Sequence, residues 1–224
     1  ISSAASDVYK RQMLNYSNQQ AWTNGWGKQQ SPLALNTTNA VAVSKPLAFE
    51  ATAKYQLKTE IDDETTIRVA GTGEATIFNR PFSFVQVHFH APAEHVVDGT
   101  TSPFEIHLVH QNAIGQLVVV ALLVSIGNAD PTLQAIFDRY QQKQTTSVEI
   151  PLPVSEWLAE APTGFHYLGS LTTPPLTEGV EWLVITNPTV TISADQLAWF
   201  THHFKANNRD VQPALNRPIG YYHQ

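Results

Sequence analysis

The sequence predicts a mainly β protein of the α+β class, with a large, twisted, mostly antiparallel central sheet and a few peripheral helices. Three observations support this prediction. Short runs of β-branched and aromatic residues recur along the chain, and turn-forming residues separate them. Only two segments have the apolar period of a helix, so strands do not alternate with long helices as they do in parallel sheets. The composition is even after the first dozen residues, which indicates a single domain.

The clearest strand signals lie in the middle and later parts of the chain. We predict strands at residues 66–69, 75–78, 82–90, 104–110, 117–126 and 182–185. Residues 71–73, Gly-Thr-Gly, are expected to form a turn between the first two strands, and residues 112–115 a hairpin-like connection. The apolar run at residues 117–124 is too short to span a bilayer, so it predicts a buried strand.

Two helices are predicted from their caps and their apolar faces. Asp130 can cap a helix whose first residue is Pro131. Ser193 and Gln196 have the spacing of a capping box at the start of a second helix. The apolar faces consist of Leu133, Ile136, Phe137 and Tyr140 in the first helix and of Leu197, Phe200 and Phe204 in the second.

Charge and composition exclude several functional classes. The 224 residues include 13 basic and 19 acidic side chains, and no basic cluster suggests nucleic-acid binding. The absence of cysteine excludes disulfides, thiolate zinc sites and cysteine nucleophiles together. The sequence shows neither a membrane span nor a signal peptide. Residues 1–12 are expected to be a disordered or expression-derived segment, and residues 13–224 a single catalytic domain.

Three histidines form the most informative pattern in the chain. Side chains alternate between the two faces of a strand, so His88 and His90 share one face of the strand that contains them. Pairing that strand with the one containing His107 would bring three imidazoles together, which is the ligand set of an open catalytic zinc site. Gln86 and Glu105 each lie two residues before a proposed ligand, where they can hydrogen-bond its second ring nitrogen.

Imidazole ligands suit catalysis because they are neutral. Three of them leave the charge of a zinc ion unneutralised, so a bound water is strongly polarised. His110 faces away from His107 by alternation and is expected to be structural. The other histidines have no spacing that demands a ligand role, and we expect them to be structural as well: His95, His166, His202, His203 and His223.

From about Tyr16 to the end, the sequence resembles the α-carbonic anhydrases. The resemblance is carried by residues 27–32 (GKQQSP), 86–90 (QVHFH), 93–95 (AEH), 105–110 (EIHLVH), 169–176 (GSLTTPPL), 180–182 (VEW), 207–209 (NNR) and 216–217 (NR). Several ordered motifs in one chain are far more specific than any single one. The resemblance implies an α-carbonic anhydrase-like fold, a Zn²⁺ cofactor held by His88, His90 and His107, and reversible hydration of carbon dioxide to bicarbonate and a proton.

The resemblance also implies roles for residues around the metal. Thr172 would accept a hydrogen bond from zinc-bound hydroxide and donate one to Glu94, so that the hydroxide attacks carbon dioxide with its lone pair. Thr173 would line the polar side near bicarbonate, and Tyr16 would complete the hydroxyl network. The apolar pocket for carbon dioxide would consist of Val109, Val119, Leu171, Val180 and Trp182.

One departure from the family pattern concerns proton transfer. Thr65 occupies the position of the usual proton-shuttling histidine, and a threonine hydroxyl cannot accept a proton near neutral pH. The neighbouring carboxylates of residues 62–64 have ordinary pKa values of about 4, poorly matched to this task. The sequence therefore predicts an active enzyme that relies on external buffer to remove its protons.

Two other functional readings remain open at this point. The spacing His88-x-His90-x-x-x-Glu94 also fits the first motif of a cupin, in which Glu94 would bind iron or manganese. Against a cupin, Phe82 stands where a glycine is expected, and residues 103–105 lack the Pro-x-Gly of the second motif. The other reading is a non-catalytic binding module on the carbonic anhydrase fold. The metal content of the protein distinguishes a zinc enzyme from both the cupin and the binding module.

The remaining expectations concern partners and location. The expected partner is a small molecule, carbon dioxide or bicarbonate, with no nucleic acid and no membrane span. The sequence leaves the oligomeric state open between monomer and dimer. Bacterial relatives in the family are usually exported, so the resemblance favours a secreted, periplasmic or cell-surface location.

Overall fold

The computed structural model describes residues 14–224, and the expectation for residues 1–12 lies outside that range. Strands make up most of its regular structure. They are β1 (Ala34–Leu35), β2 (Val41–Ser44), β3 (Phe49–Asp62), β4 (Ile67–Ile77), β5 (Arg80–His90), β6 (Val96–Val97), β7 (Thr100–Thr101), β8 (Phe104–Gln111), β9 (Leu117–Ile126), β10 (Thr145–Leu152), β11 (Gly164–Ser170), β12 (Glu178–Ile185), β13 (Thr191–Ile192) and β14 (Gly220–His223).

Eleven strands form one large sheet in the order β10-β3-β4-β5-β8-β9-β12-β11-β14-β2, with β13 beside β9, and β1, β6 and β7 form a small second sheet. Most neighbours in the large sheet are antiparallel. The exceptions are the parallel pairs β9–β12, β13–β9 and β14–β2. The predicted fold class is confirmed. That residues 13–224 form one catalytic domain stays a prediction.

The helices lie at the periphery of the sheet. They are a 3-10 helix (Tyr16–Ala21), α1 (Pro131–Arg139), α2 (Val154–Trp157) and α3 (Ala194–His203). Both predicted caps are present. The Asp130 side chain accepts hydrogen bonds from the first-turn N–H groups of α1, and Ser193 and Gln196 form the capping box of α3. Within residues 14–224, no helix has the length and apolar character needed to cross a membrane.

Strand β4 differs from the sequence-based expectation of two strands separated by a turn. It runs without interruption from Ile67 to Ile77, and Gly71 and Gly73 lie inside it. A Cβ atom at Gly71 would overlap the carbonyl oxygen of Gln56, and one at Gly73 would lie 2.6 Å from the Tyr55 ring. These glycines permit close approach to β3 at an irregular stretch of the pairing, rather than making a turn.

The sheet separates two apolar clusters at its centre. Phe89 of β5 and Ile106 of β8 point into the larger cluster, which the helices cover. Complete burial of side chains of this size stabilises a fold by about 1.5–3 kcal/mol each. Because side chains alternate, the next residues, His88 and His107, point to the opposite face. Beside them lies the smaller cluster, which includes Trp182. The alternation of β5 and β8 therefore directs the histidines away from the main core.

Candidate metal centre and cavity

The register of two neighbouring strands brings the three histidines together. His88 of β5 is directly opposite His107 of β8, and His90 follows two residues later on the same face as His88. Each histidine contributes one ring nitrogen, and these three atoms all lie within 4.8 Å of one another. His90 and His107 are almost completely buried, with 2% and 1% of their surface exposed. Ordinary pleated geometry thus builds the predicted cluster.

Hydrogen bonds define which ring nitrogens of His88 and His107 carry protons. Nδ1 of His88 lies 2.9 Å from Oε1 of Gln86, and Nε2 of His107 lies 2.7 Å from Oε1 of Glu105. Both oxygens are acceptors, so these ring nitrogens donate. Nε2 of His88 and Nδ1 of His107 consequently carry lone pairs. The structure brings Gln86 and Glu105 to the positions expected from the sequence.

His90 is oriented by a backbone group that sequence reasoning missed. Its Nδ1 lies 2.8 Å from the carbonyl oxygen of Asn207, which accepts the ring proton. The Asn207 side chain also accepts a hydrogen bond from the Ala91 N–H. Nε2 of His90 is buried and has no hydrogen-bond partner among the described residues. The motif at residues 207–209 was the only sequence signal for this contact, and it did not indicate which atom would be used.

The protonation pattern fits a bound cation. Nε2 of His88 and Nδ1 of His107 are only 3.1 Å apart, and two lone pairs at this distance repel unless a positive charge lies near both. Burial, followed by the neighbouring His107 and His90 rings, holds the pKa of His88 well below its usual value. Burial also lowers the pKa of His90. Neutral imidazoles are the form that binds a metal ion.

Glu105 anchors a buried network behind the metal cluster. Its Oε2 accepts from the backbone N–H groups of Glu94 and His95, at 2.7 and 2.9 Å. Its Oε1 lies 2.7 Å from ring nitrogens of both His95 and His107. Burial alone would raise the pKa of Glu105, but these donors outweigh it and hold the pKa well below the usual value. His95, Glu105 and His107 are also close enough to bind a metal, but their polar atoms are engaged with one another.

Glu94 has one anchored and one free carboxylate oxygen. Oε1 accepts a hydrogen bond of 2.8 Å from the Arg209 N–H. Oε2 is buried, lies 3.6 Å from Nε2 of His90, and has no hydrogen-bond partner within residues 14–224. Thr172 is 5% exposed and lies on the wall of the cavity, and no hydrogen bond joins it to Glu94 in the part of the chain that the structure describes. The expected contact between the two residues therefore stays a prediction.

A cavity of about 230 Å³ opens onto the three histidines. Its apolar wall contains four of the five expected substrate-pocket residues, namely Val109, Val119, Leu171 and Trp182, and Thr173 lies beside them. Val180 differs from expectation. It is buried in the same apolar cluster as Trp182 and is not among the residues that line the cavity.

The other side of the cavity is polar. Tyr16 and Thr65 both line it, together with Asp63 and Arg68. Burial raises the pKa of the Tyr16 phenol, and the charge of Glu94 adds to the effect. Among the described residues that line the cavity, the only histidines are the three of the metal cluster. Sequence reasoning missed Arg68, although its alternation on a strand beside the histidines was a usable signal.

The remaining histidines lie outside this cluster of ring nitrogens. His110, on the opposite face of β8 from His107, is fully buried, and burial lowers its pKa to about 4. Its Nε2 lies 2.9 Å from the Tyr55 hydroxyl. His95 supports the cluster through Glu105, and its Nε2 lies 2.8 Å from the Tyr167 hydroxyl. We expected His95 to be purely structural. The structure shows that it also contacts Glu105, the residue that holds the His107 ring.

Comparisons with known proteins agree with this arrangement. A profile of the family described as eukaryotic-type carbonic anhydrase matches residues 17–222. The chain is 37% identical over 201 residues to a carbonic anhydrase of Pectobacterium carotovorum, covering 86% of this chain and 80% of the relative. It is 32% identical over 207 residues to a carbonic anhydrase of Nostoc sp., covering 86% of this chain and 75% of the relative.

A solved structure shows the same relationship in three dimensions. The α-carbonic anhydrase of Thermovibrio ammonificans, in a complex with the inhibitor sulfanilamide, superposes with a TM-score of 0.79 at 32% identity, covering 87% of each chain. The alternative of a cupin is thereby overturned. Glu94 also lies outside the set of three ring nitrogens that it would have to join in a cupin site. The chain belongs to the α-carbonic anhydrase family.

Proposed function

We propose that this protein catalyses the reversible hydration of carbon dioxide to bicarbonate and a proton, with Zn²⁺ held by His88, His90 and His107. The observation that carries the proposal is the convergence of three unprotonated ring nitrogens in a largely buried cluster that lines a small cavity. A zinc ion held by three neutral imidazoles supplies a Lewis acid that makes water a nucleophile near neutral pH.

The residues behind the histidines keep the cluster ready for a metal. The acceptors on Gln86, Glu105 and the Asn207 carbonyl each take one ring proton, and this leaves the inward nitrogens free. Such contacts orient the ring and increase its basicity. An imidazole that is already held in place loses little entropy on binding a cation.

Thr172 and Glu94 would orient the attacking oxygen. Glu94 is held at Oε1 by the Arg209 N–H, and its Oε2 has no hydrogen-bond partner among the described residues. If the Thr172 hydroxyl donates its proton to Oε2, its oxygen can only accept from the attacking oxygen. That oxygen then has a lone pair directed at the carbon of carbon dioxide. Tyr16, whose hydroxyl is protonated near neutral pH, would extend this network at the cavity wall.

The apolar wall suits a substrate without a net dipole. Val109, Val119, Leu171 and Trp182 offer surface that holds carbon dioxide weakly next to the nucleophile, while Thr173 provides a polar group for the product. Strong binding is unnecessary, since the rate depends mainly on placing the two reactants together and stabilising the charge that develops.

Removal of the proton is the step for which this chain is least equipped. Thr65 lines the cavity, and by the family resemblance it stands in place of the usual shuttle histidine. Its hydroxyl does not accept protons near neutral pH. The only histidines on the described wall are the three proposed metal ligands, so none of them is available to carry the proton. We therefore expect external buffer molecules to carry the proton away.

Stopped-flow measurement of carbon dioxide hydration by the zinc-loaded protein, over a range of buffer concentrations, tests the proposal. We expect a fast rate that rises steeply with buffer. A fast rate that does not depend on buffer would retain the enzyme and overturn the proposed proton route. No rate above background at full zinc occupancy, measured by elemental analysis, would overturn the enzyme and favour the non-catalytic binding module.

A further inference from the structure

The cavity has a single pair of permanent charges on its described wall, and the proposed chemistry does not use them. They are Arg68 on β4 and Asp63, in the loop before that strand. Nε of Arg68 donates to Oδ2 of Asp63 over 3.0 Å. The side chains are 30% and 49% exposed, so the ion pair lies at the wet side of the cavity.

Strand pairing places Arg68 next to the metal cluster. Arg68 is directly opposite His88 in the register of β4 and β5, so the two side chains share one face of the sheet. The charge of Arg68 contributes to lowering the pKa of His88, after burial and the two neighbouring histidines. A permanent cation therefore stands one strand away from the nearest proposed metal ligand.

Among the described residues, most of the hydrogen-bonding capacity of the Arg68 side chain has no partner. A guanidinium has five N–H donors in a planar fork that matches a planar oxyanion. Within residues 14–224, the Nε–H···Asp63 contact is the only hydrogen bond that the Arg68 side chain makes. The donors on both terminal nitrogens are thus available to a ligand in the cavity.

We propose that Arg68 is a second anion-binding group of this cavity, beside the metal cluster, that it takes small planar oxyanions, and that Asp63 weakens this binding by competing for the guanidinium. The physiological anion is bicarbonate, an assignment that rests on the proposed function. Carbon dioxide is neutral and meets the apolar wall, whereas the product carries a charge and meets the guanidinium beside the metal cluster. The ion pair with Asp63 keeps Arg68 from retaining the product too tightly.

Two substitutions with opposite expected effects test this proposal. The probe is sodium nitrate at constant ionic strength, followed through the side-chain Nε–Hε NMR signals of the arginines in metal-free and in zinc-loaded protein. The Arg68 signal is assigned by its loss in Arg68→Gln. Binding in the variant that lacks this signal is followed through the histidine ring resonances. In the metal-free protein, where no metal ion competes for nitrate, we expect Arg68→Gln to weaken nitrate binding about threefold or more and Asp63→Asn to tighten it about threefold.

The matched controls are Lys58→Gln and Glu149→Gln, which carry the same charge changes in an exposed ion pair outside the cavity. Both should bind nitrate as the unsubstituted protein does. A second readout is bicarbonate dehydration, in which Arg68→Gln should raise KM about threefold and leave kcat unchanged. Equal nitrate affinity of Arg68→Gln and the unsubstituted protein in the metal-free state, or weaker binding in Asp63→Asn, would overturn the proposal.

Parallel measurement of carbon dioxide hydration separates the two hypotheses. One outcome is that the zinc-loaded protein binds nitrate through Arg68 and yet shows no hydration activity. That result would retain the anion site, but it would overturn the proposed function and the assignment of bicarbonate. If hydration is normal and Arg68→Gln binds nitrate as tightly as the unsubstituted protein, only the anion site is overturned.

Discussion

Nε2 of His88 lies 3.1 Å from Nδ1 of His107, across the paired strands β5 and β8, and neither atom carries a proton when the ring partners are satisfied. The two lone pairs repel in the absence of a cation. The two rings therefore stay close together only because the hydrogen-bond acceptors behind them, on Gln86 and Glu105, hold each ring in place. A cation held between the rings would attract both lone pairs, so we expect the affinity for metal to depend on residues that do not touch it.

Replacing the acceptor behind His107 should weaken zinc binding. In Glu105→Gln the side chain keeps its shape but loses the charge that attracts the ring proton of His107. We expect the zinc dissociation constant, measured by competition with a chromogenic chelator, to rise about 10–100-fold. Glu149→Gln, which removes an exposed carboxylate, should leave it unchanged. A zinc affinity for Glu105→Gln within about twofold of the unsubstituted protein would contradict the positioning role.

Removing the hydroxyl of Thr172 should reduce turnover without removing the metal. Thr172→Val preserves shape, and we expect kcat/KM for carbon dioxide hydration to fall about 100-fold, because one oriented hydrogen bond in a transition state is worth that much. Zinc content should remain at one equivalent. Thr173→Val, also on the cavity wall, should lose less than about tenfold. Equal losses in the two variants would argue against the special role of Thr172.

Introducing a histidine at position 65 should restore an internal route for the proton. Thr65 lies on the cavity wall, and an imidazole there would titrate close to neutral pH. We expect Thr65→His to raise the hydration rate about tenfold in dilute buffer and to have little effect in concentrated buffer. Thr101→His, at an exposed position outside the cavity, serves as the control. An unchanged rate in dilute buffer would show that proton removal is not limited by Thr65.

A buried carboxyl group on β3 should make stability depend on pH. Glu60 of β3 is 2% exposed, and neither carboxyl oxygen has a hydrogen-bond partner in the described chain. Burial raises its pKa from 4.5 to about 7, against the opposing charge of Arg139. The folded state therefore favours the protonated form. This contribution to stability is complete below about pH 4.5 and is lost as the pH rises through about 7.

Substitution by glutamine should remove this pH dependence. We expect Glu60→Gln to be more stable than the unsubstituted protein above pH 7, by about 1–3 kcal/mol, with a much smaller difference at pH 5. Urea unfolding at both pH values measures the two differences. A difference that is the same at pH 5 and pH 8 would mean that Glu60 does not titrate between them.

The glycines inside β4 should be sensitive to a single methyl group. A Cβ at Gly71 would overlap the backbone of Gln56, which cannot move away as a flexible side chain could. We expect Gly71→Ala to lower the free energy of unfolding by about 2 kcal/mol in urea titration. Gly25→Ala is the control, since nothing lies within 4 Å of a Cβ there. Equal stability of the two variants would contradict the close approach of β3 and β4.

Features that depend on local geometry could be predicted from the sequence. Asp130 caps α1, and Ser193 and Gln196 cap α3, because capping involves residues two or three positions apart. The shared face of Gln86, His88 and His90 follows from the two-residue period of a strand. Local patterns also misled in one place, since the glycines of β4 have the composition of a turn but serve the packing of one continuous strand.

The sequence by itself determined the mainly β class, the caps, the alternating faces and the three candidate ligands, because each depends on neighbours within a few residues. Only the tertiary structure decided the register that sets His88 against His107, the Asn207 carbonyl behind His90, and the position of Arg68 beside the histidines. These contacts join residues far apart in the chain. A backbone carbonyl also has no signature in the amino-acid sequence, so its role appears only when long-range strand pairing and loop packing have brought it to its partner.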